Sequence, residues 1–472
     1  MPLNKPKARG TVSKDAPLSV VILAAGQGKR MLSDLPKVLQ PLAGVPLLAH
    51  VLDSADSLAP ASIHVVYGHG GDLVRQAFAD RTLQWSLQSE QLGTGHAVQQ
   101  ALPQIPDSHR VLVLYGDVPL LRAETLRELI AATKSDAFGL LTASVADPTG
   151  YGRIVRGKHG RPKRIVEEAD ASQKERKIRE INTGVVLAAA RALKGWLKVL
   201  KPHNKQGELY LTDVLAMAVK DGAGIATFET SDIAAVEGVN DRVQLAQAEA
   251  LYRRRRAHEL MVQGVTLVDP ARIDIRGSVA AGRDVQLDVN VVLSGKIALG
   301  DGVIVGPNCV LENVSVGAGT RILANCVIQD ARIGSHCRVG PFTRVRPKTQ
   351  LGDEVHLGNF VEVKASTIGI GSKVNHLTYV GDSEVGGRVN IGAGSVTCNY
   401  DGANKWTTRI GDRAFIGSGV MLVAPVTIGD GATIGAGSTI VTDVPPDKLS
   451  LARARQQTIE TWDRPVKAAT KP

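Results

Sequence analysis

Two hydrophobic rhythms divide this chain. Up to about residue 262, short aliphatic runs at 20–23, 63–67, 111–115, 140–145 and 185–187 alternate with stretches of helical periodicity such as 123–134. Strands covered on both faces by helices read as such uninterrupted apolar runs, so the pattern predicts a layered α/β domain around a mainly parallel sheet. In open sheets of this kind ligands sit beyond the carboxyl ends of the strands, which directs attention to the loops after each run.

Residues 239–263 are rich in Ala, Leu, Gln and Arg and read as one helix stopping near Gly264. The rhythm then changes. Aliphatic residues recur at Ile333, Val339, Val345, Leu351, Leu357 and Val363, then Ile368, Val374, Val380, Val385 and Ile391, and in a second register at Ile410, Ile416, Leu422, Ile428, Ile434 and Ile440. A period of six fits neither an ordinary strand nor a helix; it is the hexapeptide repeat of a left-handed parallel β-helix. Three hexads make one turn, turns stack at about 4.8 Å, and roughly ten turns fit between residues 265 and 443. Steps of five, as from Val363 to Ile368, are corner deletions. At 397–409 a polar insertion, Cys398-Asn399-Tyr400-Asp401-Gly402-Ala403-Asn404-Lys405, replaces a hexad, and a loop that interrupts a solenoid is a candidate functional segment. The expected organisation is a loose tail (1–17), a catalytic α/β domain (18–242), a helical linker (243–263) and a β-helix domain (264–472).

Composition narrows the function classes. A chain of 472 residues with 43% hydrophobic and 22% charged content is globular and long enough for two cores. No apolar run reaches the roughly 20 residues of a membrane helix, and the polar, basic N-terminus has no signal-peptide core. Four cysteines without a CxxC pair exclude a disulfide scaffold and a zinc knuckle, in keeping with a reducing cytoplasm. Cys309, Cys326 and Cys337 each fall four places after a repeat aliphatic, the slot of small buried residues. The net charge of +10 is spread out and aromatics make up only 4%, which favours small anionic substrates over nucleic acid. The single basic cluster, Arg253 to Arg256, reads as a solvated helix face.

Directly after the first run comes Leu23-Ala24-Ala25-Gly26-Gln27-Gly28-Lys29-Arg30-Met31, then Pro36-Lys37. Glycines let backbone N–H groups close on a phosphate, and Arg30 and Lys37 add positive charge. Tyr115-Gly116-Asp117 ends another strand, and a carboxylate there suits Mg²⁺, which takes few protein ligands beside substrate phosphates. With Gln88 and Leu92-Gly93-Thr94-Gly95, these motifs resemble the sugar-phosphate nucleotidyltransferases. Taken with the repeats, residues 18–463 are similar to a family of homotrimeric cytoplasmic enzymes with two activities. The resemblance implies a Rossmann-like nucleotidyltransferase fold joined to the β-helix. It also implies acetylation of glucosamine-1-phosphate by acetyl-CoA and uridyl transfer from UTP, giving UDP-N-acetylglucosamine and pyrophosphate for cell-wall and lipopolysaccharide precursors. Leu23, Ala24, Ala25, Gly26, Gln88, Gly93 and Thr94 would hold the uridine nucleotide, Lys37 its phosphates, and Tyr115 and Gly116 would lie beside it. Gly152, Glu167 and Asn182 would contact the N-acetyl sugar, and Asp117 and Asn240 would hold Mg²⁺. Lys29 stands where the family commonly has Thr. In-line attack on the α-phosphate needs mainly positioning and charge neutralisation by Mg²⁺, Arg30 and Lys37.

A β-helix alone could be an assembly stalk, but Arg346, Lys364, His376, Tyr379, Asn390, Asn399, Tyr400 and Lys405 concentrate polar chemistry in a few turns. Amide formation needs a base for the amine proton, and imidazole, with an ordinary pKa near ~6.5, suits that role. The resemblance makes His376 that base. It assigns Arg346, Lys364, Tyr379, Asn390 and Lys405 to the sugar phosphate, and Ala393, Asn399, Tyr400, Ser418, Ala436 and Arg453 to acetyl-CoA. A single-activity ADP-glucose or GDP-mannose pyrophosphorylase would not need His376 and Lys405, and a non-catalytic scaffold would not need Gly26, Lys37 and Asp117.

Overall fold

Val20, Val21 and Ile22 expose no surface, and alternate residues of this run point into two different apolar clusters. That is the signature of a strand covered on both faces. The structure, a computed structural model, describes residues 16–467 apart from Gln27 and His69, so the expected tail lies, up to residue 15, outside the described residues. Two units divide between Tyr252 and Arg253.

In the first unit the strands of the main sheet are β1 (Leu18–Ala24), β2 (Ser62–Tyr67), β3 (Gln84–Leu87), β4 (Arg110–Tyr115), β5 (Phe138–Ser144), β6 (Arg153–Arg156), β7 (Pro162–Val166), β8 (Glu180–Ala189) and β9 (Ile225–Thr230). They form a nine-stranded sheet with the main path β9-β5-β8-β4-β1-β2-β3 and the hairpin β6–β7 attached to β8. Strands β4, β1, β2 and β3 run parallel, but β8 is antiparallel to both β4 and β5. The sheet is therefore mixed: β8 enters from a hairpin instead of a crossover helix, so nothing forces it parallel. Helices α1 (Leu47–Asp56), α2 (Gly71–Ala77), α3 (Thr94–Ala101), α4 (Ala123–Ala132), α5 (Ala190–Lys198) and α6 (Asp213–Lys220) connect or cover the strands. The chain moves from β1 outward through β2 and β3, then returns to place β4 on the other side of β1. This reversal opens a crevice at the carboxyl ends of β1 and β4.

The second unit is a parallel β-helix. One face carries eleven short strands from Thr266–Leu267 to Leu449–Ser450, and a fifteen-stranded sheet wraps the other two faces. Every repeat aliphatic named above from Ile333 to Ile440 is buried. Their side chains stack into one core column, joined by Cys309, Cys326 and Cys337. Corners need left-handed backbone; Asn290, Asn308 and Asn325 supply it at φ 59, 59 and 62 and stack their amides, Nδ2 donating to the next Oδ1 at 2.9 and 3.2 Å. Lys373 pairs with Asn390, a step of 17 residues, whereas Asn390 pairs with Phe415, a step of 25. The polar insertion accounts for the long step.

Helix α7 (Arg242–Val262) contains the division between the units. Leu245, Ala248, Leu251 and Tyr252 pack with Met31, Leu42 and Leu47 of the first unit, while Ala257 and Leu260 belong to the apolar column of the second.

Candidate active sites

The crevice of the first unit is a cavity of ≈310 Å³ lined by Leu23, Ala24, Ala25, Gly26, Lys37, Gln88, Gly93, Thr94, Tyr115 and Asp117, all singled out from the sequence, and also by Gln91 and Glu208. Gly116 N donates to Leu23 O at 2.9 Å, tying the ends of β1 and β4 together. Gly28 has φ 61, and a Cβ there would meet Lys37 Cβ at 2.6 Å, so this glycine lets Lys37 pack under the loop. Gln91 Nε2 closes the loop on Ala25 O at 2.8 Å. Gly93 has φ 108 and presses against the backbone of Leu209, where a Cβ would lie 2.7 Å from the carbonyl oxygen. Around it Gly95 N donates to Leu209 O at 2.8 Å and Leu211 N to Thr94 Oγ1 at 3.1 Å. Buried Gln88 donates from Nε2 to Gly93 O at 3.1 Å.

The Lys37 ammonium donates to Asp117 Oδ2 in a short contact and to Asn240 Oδ1 at 3.1 Å. Asn240 Nδ2 donates to Gly238 O at 3.3 Å, and Val239 N to Asp117 O at 2.8 Å, which aims the amide oxygen inward. Two hard oxygens thus converge on one cation, a donor set that fits a divalent metal with few protein ligands. Among the described residues no group of three or more His, Cys, Asp or Glu could hold a metal. Arg30 stands exposed on a 3₁₀ turn and does not line the cavity. Arg242, which sequence reasoning missed, pins that turn by donating to Met31 O at 3.2 Å and Gln40 Oε1 at 2.9 Å.

Gly152, Glu167 and Asn182 come together: Asn182 N donates to Gly152 O at 2.8 Å, and a Cβ on Gly152 would lie 3.2 Å from Glu167 Oε2. Thr212 Oγ1 donates to Glu167 Oε1 at 2.9 Å. Burial raises the Glu167 carboxyl above its ordinary range, against the lowering effect of that bond. Burial, with the charges of Glu167 and Asp117, pushes the Tyr115 phenol up as well, so it stays a neutral donor.

In the β-helix the candidates surround one narrow face built of Glu362–Lys364, Tyr379–Gly381 and Val396–Cys398. At one edge lies the corner column of Asn359, His376, Ala393, Ser418 and Ala436, each backbone carbonyl accepting from the turn above. Gly394, Gly419 and Gly437 follow in left-handed conformation, and Arg453 Nη1 ends the column by donating to Ala436 O at 2.8 Å. His376 is exposed, and its Nδ1 meets Asn359 Oδ1 at 2.8 Å. An amide oxygen only accepts, so in the neutral ring this contact places the proton on Nδ1 and the free lone pair on Nε2. Asn390 stands on the same turn as Ala393, and the Tyr379 hydroxyl lies over Gly381.

At the other edge Arg346 Nη1 donates to Glu362 Oε1 at 2.9 Å, and Lys364 Nζ to Asp382 Oδ2 at 3.2 Å. Burial lowers the Lys364 pKa, but the hydrogen bond and charge of Asp382 more than offset this and hold it above its ordinary value. Lys405 is pulled down by its contact with Lys364 and by that neighbour's charge. The insertion is shaped by Asp401, which accepts from Asn404 N, Ala403 N and Trp406 Nε1 at 2.6 to 2.8 Å. The backbone bond from Asn404, then those from Trp406 and Ala403, bring its carboxyl down to about 2. Tyr400 projects from this loop, 61% exposed. Asn359, Glu362 and Asp382 carried no signal in the sequence because polar residues at corners and on the strands abound in this repeat.

Comparison with known proteins accounts for both halves. Residues 20–190 match the MobA-like NTP transferase domain, 275–373 the GMPPB C-terminal domain, and 407–442 the bacterial transferase hexapeptide (six repeats). "Bifunctional protein GlmU" of Azoarcus sp. (strain BH72) is 55% identical over 450 residues, covering 95% of this chain and 100% of the relative. That of Stenotrophomonas maltophilia (strain K279a) is 56% identical over 452 residues, covering 96% and 99%. The chain belongs to the GlmU family. Its members are bifunctional, and uridyltransferase and acetyltransferase activities leading to UDP-N-acetylglucosamine are those of this chain. A GlmU-family fold explains why a nucleotidyltransferase crevice and a hexapeptide corner rich in polar side chains occur in one polypeptide.

Proposed function

We propose that the β-helix acetylates glucosamine-1-phosphate with acetyl-CoA and that the α/β unit then transfers UMP from UTP to the product, releasing pyrophosphate. The observation that carries this reading is His376, its Nδ1 proton engaged by Asn359, at the foot of the column Ala393, Ser418, Ala436 and Arg453. Nε2 takes the amine proton as the nitrogen attacks the thioester carbonyl; the C–S bond then breaks and the proton passes from Nε2 to the sulfur, so that CoA leaves as the thiol. The column rises through four further turns at about 4.8 Å each, a length suited to an extended ligand such as acetyl-CoA. Arg346, Lys364 and Lys405 bind the sugar phosphate, Tyr379 and Asn390 the sugar, and Asn399 and Tyr400 the coenzyme.

In the crevice Leu23 to Gly26, Gln88, Gly93 and Thr94 hold the nucleotide, while Gly152, Glu167 and Asn182 take the sugar. Asp117 and Asn240 would hold Mg²⁺, which, when bound, neutralises phosphate charge. Lys37 adds a point charge to the same phosphates. We read the assembly as a cytoplasmic homotrimer; among the described residues no helix is long and apolar enough to cross a membrane. Incubation with glucosamine-1-phosphate, acetyl-CoA, UTP and Mg²⁺ should release CoA and pyrophosphate together. Pyrophosphate that appears only when N-acetylglucosamine-1-phosphate is supplied would refute the acetyl-transfer half.

Two further outcomes are expected. A fragment ending near residue 262 retains Asn240 and the whole first apolar core, so it should keep uridyl transfer and lose CoA release. A folded fragment without uridyl transfer would refute the boundary. Gly93→Ala places a Cβ against the Leu209 backbone in a backbone conformation that costs of order 1–3 kcal/mol for other residues. It should lower kcat/KM for UTP about tenfold or more, measured by pyrophosphate release, without changing acetyl transfer.

A further inference from the structure

Asp382 stands on a corner of the β-helix with φ 47, a conformation that aspartate tolerates better than most residues. Its Oδ2 accepts from Lys364 Nζ, on the preceding turn, and from Asn399 Nδ2, on the following turn. The Lys364 and Asp382 side chains are 19% and 21% exposed, and Asn399 is 8% exposed. A carboxylate so enclosed is costly unless paired, and here one oxygen satisfies a cation and an amide together. Asn399 opens the polar insertion, so this oxygen ties Lys364 to the start of the loop bearing Tyr400 and Lys405. Glu362 answers Arg346 in the same way, but it reaches no residue of the insertion by hydrogen bond.

We propose that Asp382 is a positioning residue for acetyl transfer, fixing Lys364 and the insertion in mutual register so that sugar phosphate and acetyl-CoA are held at one working separation. The proposal rests on the roles given above to Lys364 and Asn399. Asp382 makes and breaks no bond in the reaction; it acts through the two donors it holds.

The test is a pair of double-mutant cycles read in steady-state acetyl-transfer kinetics. Asp382→Asn keeps the volume and removes the charge. Alone it should lower kcat/KM for glucosamine-1-phosphate by about 10- to 100-fold, the scale seen when a group that orients a metal ligand is lost, and raise the KM for acetyl-CoA several-fold. In a Lys364→Ala background the same change should cost much less for the sugar phosphate, and in Asn399→Ala much less for acetyl-CoA, because interacting neighbours are non-additive. Asp382→Glu should recover part of the loss, since Glu354 already occupies a left-handed corner of this β-helix. Thermal melting and uridyl transfer report whether each variant is folded. Wild-type acetyl-transfer kinetics in folded Asp382→Asn, or equal costs in all three backgrounds, would overturn the proposal and leave Asp382 a corner residue only. If Lys364→Ala and Asn399→Ala singly leave acetyl transfer intact, the assignment of the site itself fails, and Asp382 with it.

Discussion

His376→Ala should lower acetyl transfer by roughly 10²- to 10⁴-fold while uridyl transfer stays at its wild-type rate. The size follows from the chemistry, because the amine must lose a proton as it attacks the thioester, and a positioned base typically contributes that factor. The selectivity follows from the architecture, because His376 lies in the second unit and the nucleotide crevice is built wholly from the first. His376 suits the role through its hydrogen bond, since Nδ1 donates to Asn359 Oδ1 at 2.8 Å and the neutral ring keeps Nε2 able to accept. The ring is also exposed at a corner, where a substrate amine can reach it, and is not part of the aliphatic column. CoA release followed with a thiol reagent, and pyrophosphate release from the same preparation, check both halves of the statement. A folded variant releasing CoA at the wild-type rate across a range of pH would refute the assignment and move the search for a base to the neighbouring polar groups.

Asp117→Ala should have the mirror effect, abolishing uridyl transfer at ordinary Mg²⁺ while sparing CoA release. Asp117 and Asn240 present two oxygens to the Lys37 ammonium, and of these only Asp117 carries charge. Removing it would leave only a neutral amide for the metal proposed there and a lysine without its counter-ion at the end of β4. Loss of groups that merely orient metal ligands costs roughly 10- to 100-fold, so loss of a direct ligand should exceed about 100-fold. Pyrophosphate release titrated with Mg²⁺ measures it, and raised metal should recover part of the activity. Equal loss of both activities would point to misfolding, and an unchanged Mg²⁺ dependence would refute Asp117 as the ligand.

Much of this was legible in the residue order alone. The two rhythms separate an α/β unit from a β-helix because a period of six can bury a continuous column only by coiling around three faces, and every repeat aliphatic from Ile333 to Ile440 is indeed buried. The crevice residues Leu23 to Gly26, Gln88, Gly93 and Thr94 could be named from the sequence through the resemblance of their motifs to the sugar-phosphate nucleotidyltransferases, since a glycine-rich turn after an apolar run also fits a bare turn. Tertiary structure alone decided three things. Strand β8 runs against its neighbours because it leaves a hairpin, a property of chain path that no local period encodes. Gly93 is pressed by Leu209, and Lys37 spans Asp117 and Asn240, the latter 203 residues away; such partners are chosen by where the sheet brings the chain, not by spacing. Asn359 and Asp382 look like any other polar corner residue in the repeat. Only the stacking of turns 17 or 18 residues apart sets one beneath His376 and the other between Lys364 and Asn399, where a hydrogen bond across turns gives an ordinary corner residue a specific role.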